Sequence, residues 1–272
     1  MPIHSYGWVP DLPDHRDFLF SAPLENVAAL PTSVDLRPHC PHEVYNQGQL
    51  GSCTANAIAG ALQFEQMKQG LKSFTPSRLF IYYNERVIEG TVNADSGAQI
   101  RDGIKSVSNI GACPETDWTY DITKFAHKPP EAPAYKDAPL GKALQYQRVP
   151  QLLNQMKGCL ASGYPFVFGF TVYESFESDQ VAHTGAAPMP SPREKVLGGH
   201  AVMAVGYEDH PQRFIVRNSW GPDWGMGGYF TIPYAYLTDS NLADDFWTIR
   251  MVAKTAAQLA AERAASAVSG RP

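Results

Sequence analysis

GGHAVMAVGYEDHPQRFIVRNSWG, residues 198–221, places two strand-like runs on either side of the polar segment EDHPQ. Runs rich in Val and Phe around a short polar break read as a β-hairpin. A hairpin centred near Asp209 sets His200 and Asn218 opposite one another, within side-chain reach. The asparagine amide can then bond one imidazole nitrogen and leave the other to face a nucleophile. Taken singly, each residue reads more simply as a satisfied core histidine and a turn asparagine.

NQGQLGSCTANA, residues 46–57, supplies a nucleophile to look for. Cys53 stands where a Gly-containing loop meets a helix spanning 53–69, and Gly70 stops that helix. A helix N-terminus carries partial positive charge and free N–H groups, which favour a thiolate. The plainer alternative is a buried structural cysteine. Ala57, Ile58, Ala61 and Leu62 predict one apolar stripe on this helix.

Further helices are expected over 75–88 and 97–110, so the first half of the chain is mainly helical. The second half changes character. YPFVFGFTVY at 164–173, HAVMAVGY at 200–207, RFIVRNSW at 213–220 and GGYFTI at 227–232 are strand-like. The proline-rich stretch 125–150 reads as an irregular connection, and 178–199 as an exposed loop. A helical half followed by an antiparallel half is the α+β pattern. The 272 residues suit one large domain or two lobes sharing an interface, and no internal repeat is visible.

Composition narrows the function classes. Net charge is −5, with no basic stripe for nucleic acid and no polybasic segment for a membrane surface. The apolar runs are too short and broken to span a bilayer. The opening residues carry neither a basic start nor a continuous apolar stretch, so no secretory signal is read. That leaves a cytoplasmic default, or export by a route not visible in the sequence. Cys40, Cys53, Cys113 and Cys159 could form two disulfides, one, or none. No Cys/His cluster has zinc-ligand spacing, so neither a metal nor another cofactor is expected.

Three motifs in order carry a family resemblance. NQGQLGSC resembles the cysteine motif of papain-like cysteine peptidases, and GHAVMAVGY resembles their histidine motif. RNSWGPDWGMGGYF resembles their asparagine motif, and LPTSVDLR at 30–37 resembles the start of the mature enzyme. His200 lies 147 residues after Cys53 and Asn218 lies 165 after it, a separation similar to that of papain-type enzymes. The resemblance implies a fold of two lobes, one mainly helical and one antiparallel and β-barrel-like, with the active site in the cleft between them.

It also implies roles. Cys53 is the nucleophile, His200 its acid/base partner and Asn218 the residue that orients the histidine. The Gln47 side chain and the Cys53 backbone N–H form the oxyanion hole. Trp220 shields the His–Asn contact from water. Ser96 and Gly97 stand where a Gly-Gly pair bonds the substrate backbone, and Gly199 and Ala201 flank the histidine in the same wall. Leu50 replaces a disulfide cysteine and Thr54 a tryptophan usual in the family, which suggests a divergent branch. The prokaryotic and viral members are the most similar.

The expected activity is hydrolysis of peptide bonds in a peptide or protein substrate, through a covalent acyl-enzyme, by a monomer. Two rivals use the same residues: an amidase or acyltransferase acting on a non-protein amide, and a catalytically silent protein that docks ligands in the cleft. His4, His15, His39, His42, His127, His183 and His210 sit in polar or proline-rich segments and read as solvated. The expected organisation is an extension at 1–29, a peptidase domain at 30–252 and an Ala-rich tail at 253–272. Tyr6, Trp8, Phe18 and Phe20 in the extension call for burial. Two readings account for them. In one the extension packs outside a lobe as a strap. In the other it lies across the cleft as a short propeptide, making the chain a zymogen opened by cleavage between Phe20 and Leu30.

Overall fold

A computed structural model describes residues 5–254. The tail beyond Lys254 and His4 lie outside the described residues. Seven helices are described: α1 (Leu24–Ala28), α2 (Cys53–Lys68), α3 (Arg78–Glu89), α4 (Ile100–Asn109), α5 (Leu153–Ala161), α6 (Asp179–Thr184) and α7 (Tyr234–Thr238). The strands are β1 (Ser33–Asp35), β2 (Ala143–Arg148), β3 (Phe166–Tyr173), β4 (Val196–Glu208), β5 (Arg213–Arg217), β6 (Tyr229–Pro233) and β7 (Ala243–Val252). The strands make one antiparallel sheet in the order β2-β7-β3-β4-β5-β6, with β1 added to β4. Helices dominate the first half and strands the second, as the α+β reading expects.

Helix α2 is the seam between the two halves. It packs on α3 and α4 on one side and on β4 and β7 on the other. The expected stripe of Ala57, Ile58, Ala61 and Leu62 is therefore too narrow. Thr54, Asn56, Glu65 and Gln66 are buried as well, because this helix has core on every side. Burying Ile58, Leu62 and Phe64 contributes about 1.5–3 kcal/mol each.

The caps differ in a way that matters for the site. Ser77 caps α3 conventionally, its hydroxyl accepting from the Phe80 N–H at 3.1 Å. Ser52, at the start of α2, makes no such bond. Its hydroxyl is paired with Tyr120 Oη at 2.5 Å instead. Helix α2 thus begins at Cys53 without a side-chain cap from Ser52 over its first turn.

Several local expectations need correction. Residues 125–150 are not irregular throughout, since they contain β2, an edge strand whose partner β7 was also unforeseen. Residues 178–199 contain α6 and the first residues of β4. A bulge at Val205 changes the β4–β5 register between Ala204 and Gly206. Continued past its last pair, that register would set His200 against Trp220. Asn218 therefore meets His200 on the diagonal, two positions away on the same face.

Candidate active site

Cys53, His200 and Asn218 converge at the C-terminal side of the loop 46–52, where α2 starts against β4. His200 Nε2 and Asn218 Oδ1 are 2.8 Å apart, and all three side chains are buried. The N–H of Ala201, the residue after His200, hydrogen-bonds the Cys53 sulfur. Trp220 stacks on the His200 ring, centroids 4.9 Å apart at 24°, and Trp224 and Phe176 pack edge-on against Trp220. The imidazole and its asparagine partner thus sit beneath an aromatic roof.

Gln47 is fully buried, and its amide is held at both ends. Oε1 accepts from Ser219 Oγ at 2.7 Å, while Nε2 donates to Leu50 O at 3.0 Å and to Ser5 O at 3.1 Å. Ser219 was not singled out from sequence, although it lies between Asn218 and Trp220. Asp95 was missed too. Its carboxylate accepts from the Gly51 N–H at 3.0 and 3.1 Å and from Tyr82 Oη, tying down the turn before Cys53.

The departures from the family pattern acquire local explanations. Thr54 Oγ1 donates to Glu85 Oε1 at 2.6 Å, and burial lifts the Glu85 carboxyl well above its usual range. A hydroxyl here gives a buried acid its partner, which an indole carbon face could not. Leu50 is simply core, and all four cysteines are free, buried thiols. The six described histidines named above as solvated are exposed.

The extension contacts the site directly. The Gly7 N–H hydrogen-bonds the Cys53 sulfur. Trp8 N donates to Gly199 O at 2.9 Å, Ala98 N to Gly7 O at 2.7 Å and Val9 N to Ala98 O at 3.0 Å. Gly7 is closed in, since a Cβ there would lie 1.7 Å from Gly51 O. Gly97 (φ +71°) is needed for the same approach, a Cβ there falling 2.1 Å from Gly7 O. Ala98 rather than Ser96 makes the ladder bonds; Ser96 Oγ turns to Gly97 O. Tyr6 packs edge-on against His200 and Trp220 and donates its hydroxyl to Glu177. Trp8 Nε1 donates to Asp245 Oδ2 at 3.0 Å.

Burial governs the thiol. It pushes Cys53 up to about 12, against the amides of Ala201, Gly7 and Thr54, which favour the thiolate. The sequence expectation of a favoured thiolate at Cys53 does not hold for this covered arrangement. Desolvation outweighs the helix terminus.

Farther along, the extension behaves as the outer strap of the first reading. Arg148 N donates to Phe18 O and Phe20 N to Arg148 O, both at 2.8 Å, so it lies along the β2 edge. Phe20 is buried, but Phe18 is 73% exposed, correcting the expectation that all four aromatics bury.

A family model described as papain family cysteine protease matches residues 30–246. The uncharacterized peptidase C1-like protein L477 of Acanthamoeba polyphaga mimivirus is 42% identical over 272 residues, covering 91% of this chain and 87% of that protein. Cathepsin B-like CP3 of Giardia intestinalis is 31% identical over 74% of this chain and 69% of its own length. Xylellain, a cysteine protease from Xylella fastidiosa, superposes with a TM-score of 0.86 at 48% identity, covering 92% of this chain and 97% of that structure. Viral and bacterial relatives agree with the branch read from the motifs. A match of this extent over all three motifs means that the chain belongs to the papain family of cysteine proteases.

Proposed function

We propose that the chain hydrolyses peptide bonds through Cys53, His200 and Asn218, and that residues 5–11 hold it inactive. The observation that carries the mechanism is the 2.8 Å contact between His200 Nε2 and Asn218 Oδ1. With Nε2 committed to the asparagine, proton exchange with the Cys53 sulfur falls to Nδ1. In the reaction the thiolate attacks the peptide carbonyl carbon. His200 gives its proton to the leaving amine, then takes one from the water that releases the acyl group. Gln47 Nε2 and the Cys53 N–H stabilise the oxyanion, and Ser219 keeps the Gln47 amide turned the right way. The Trp220 roof keeps water from the His–Asn contact.

The inhibitory half rests on what the extension presents. The sulfur meets the Gly7 N–H, which offers no electrophile, and the Gln47 donor is taken by the Ser5 carbonyl. A tethered segment has a high effective concentration, so modest contacts suffice to block. Removal of residues 1–29, by cleavage between Phe20 and Leu30, would free the 30–252 domain.

The test is acyl-enzyme trapping. A peptidyl ester is added to the full chain carrying Gly7→Val, whose new side chain cannot fit against Gly51 O. Mass spectrometry should find the acyl group on Cys53 and none in Cys53→Ala. Gln47→Ala in the same background should lower kcat by about 10²–10³-fold. Acylation at another residue, or turnover unaffected by Gln47→Ala, would remove these roles.

A further inference from the structure

Ser52 stands where a cap for α2 is expected, yet its hydroxyl bonds outside the helix. Tyr120 Oη lies 2.5 Å from Ser52 Oγ and 3.0 Å from the carbonyl oxygen of Gln47. One phenol oxygen therefore touches both ends of the turn 47–52. At one end is the residue whose side chain is the proposed oxyanion donor. At the other is the residue whose peptide unit carries the Cys53 N–H. Asp95 ties the middle of this turn at Gly51, and Tyr120 ties its ends.

The direction of each proton follows from counting donors. A phenol has one hydrogen, and Tyr120 gives it to Gln47 O, so Ser52 Oγ donates to Tyr120. Ser52 Oγ in turn accepts from Asn56 Nδ2 at 3.1 Å. The Asn56 amide is held that way round because its Oδ1 accepts from Arg78 Nη1 at 3.3 Å, and a guanidinium only donates. The result is a one-way chain from Arg78 through Asn56, Ser52 and Tyr120 to Gln47 O. Each link in such a chain polarises the next. The cation at its head is itself pinned. Arg78 makes two bonds to Glu115, at 2.9 and 2.5 Å, and lies over the rings of Tyr120 and Tyr45 at 4.1 and 4.7 Å.

The same residues fix the two peptide units that matter. Asn56 Nδ2 also donates to Ser52 O at 2.9 Å. The peptide unit is planar, so a bond to Ser52 O sets the direction of the Cys53 N–H. The Gln47 N–H donates to Ser219 O at 2.9 Å, so both peptide units flanking Gln47 are held. All of these contacts are made within residues 30–252 and do not involve the extension.

We propose that Tyr120 is a positioning residue for the oxyanion hole. It sets the separation of Gln47 from the Ser52–Cys53 peptide, while Asn56 and Arg78 fix the direction of its proton. The inference rests on the peptidase reading above and deepens it at the same site. The brace has a geometric purpose. One donor ends a side chain, the other starts a helix, and the turn between them contains Gly48 at φ +61° and Gly51. A misplacement of about 1 Å in such a site costs up to about 10²-fold in rate.

The test is a double-mutant cycle in the full chain carrying Gly7→Val, read by turnover of a peptide substrate. Tyr120→Phe keeps the ring beneath the guanidinium and removes only the hydroxyl. It should lower kcat by about tenfold or more and leave KM within about twofold. Alkylation of Cys53 by iodoacetamide, which builds no oxyanion, should stay within about twofold. With Gln47→Ala already present, Tyr120→Phe should cost less than about twofold, because its effect runs through Gln47. An equal loss in both backgrounds overturns the proposal, as does alkylation that slows as much as turnover. A second measurement needs no turnover. In the full chain, hydrogen exchange of the amides at 47–53 should quicken about tenfold in Tyr120→Phe, with those of α3 unchanged. Unchanged exchange at 47–53 overturns the proposal. If Gly7→Val cleaves nothing while exchange quickens as stated, the peptidase reading fails and the brace on the turn stands.

Discussion

The two ends of one extension do different jobs. Residues 5–11 touch Cys53 and His200 and are held there by backbone bonds and by the partly buried rings of Tyr6 and Trp8, while Val9 is exposed. Residues 17–22 touch no reacting group but carry the apolar anchors Phe20 and Ala22, together with backbone pairing to β2. Arg101 joins the ends, since its N–H and guanidinium hold Asp11, Leu12 and Asp17. The difference teaches that blocking and holding are separable. On the reading proposed above, the part of the segment over the site is held by backbone bonds and two ring contacts, and the deepest apolar burial lies farther along, at Phe20 and Ala22. The strap reading of residues 1–29 fits the position of residues 17–22, and the lid reading is the one proposed above for residues 5–11.

The largest test of this division is Phe20→Ala. Removing a buried ring should destabilise the chain by about 3–5 kcal/mol in denaturant unfolding. Cys53 alkylation under native conditions should change far less. An alkylation rate that rises in step with the lost stability would merge the two halves into one unit.

Gly7→Val should do the reverse. Cys53 labelling should quicken about 100-fold, equivalent to about 2.7 kcal/mol, while the melting temperature barely moves. The pH profile sharpens the point. The covered thiol has its pKa raised by burial, so the covered state prefers the neutral sulfur. Its hold is complete below the thiol pKa of the open site and is lost as pH rises toward about 12. The alkylation profile of Gly7→Val should therefore lie at lower pH than that of the parent chain. Coincident profiles would mean that residues 5–11 do not desolvate Cys53.

Arg101→Ala addresses the joint. Losing charge-assisted bonds should cost about 1.5–3 kcal/mol, and here melting temperature and Cys53 protection should fall together. A change in only one readout would place Arg101 within one half. The smallest effect is expected at Leu24→Ala, 87% exposed in α1: within about 0.5 kcal/mol in stability and none in labelling.

Much of the candidate site could be read before any coordinates, because its residues are concentrated in short contiguous motifs. Cys53 stands at a loop-to-helix junction, and Gln47 belongs to the same loop. His200 and Asn218 lie on one hairpin, where local pairing brings them near each other. The bulge at Val205 moved their meeting from opposite to diagonal without separating them. The alternation of helix-like and strand-like segments likewise carried the α+β architecture.

What the sequence by itself determined is therefore the set of local arrangements: which residues form the turn before Cys53, which hairpin carries His200 and Asn218, and which half is helical. Only the tertiary structure decided the rest. The β2–β7 edge and the path of residues 5–22 both join segments far apart in the chain. The state of Cys53 belongs there too. A helix terminus and neighbouring amides favour the thiolate locally, but desolvation depends on what covers the sulfur. Here Gly7 and Tyr6 come from more than 45 residues away in the chain to cover it. Non-local packing sets that dielectric environment, and no periodicity or motif around residue 53 encodes it.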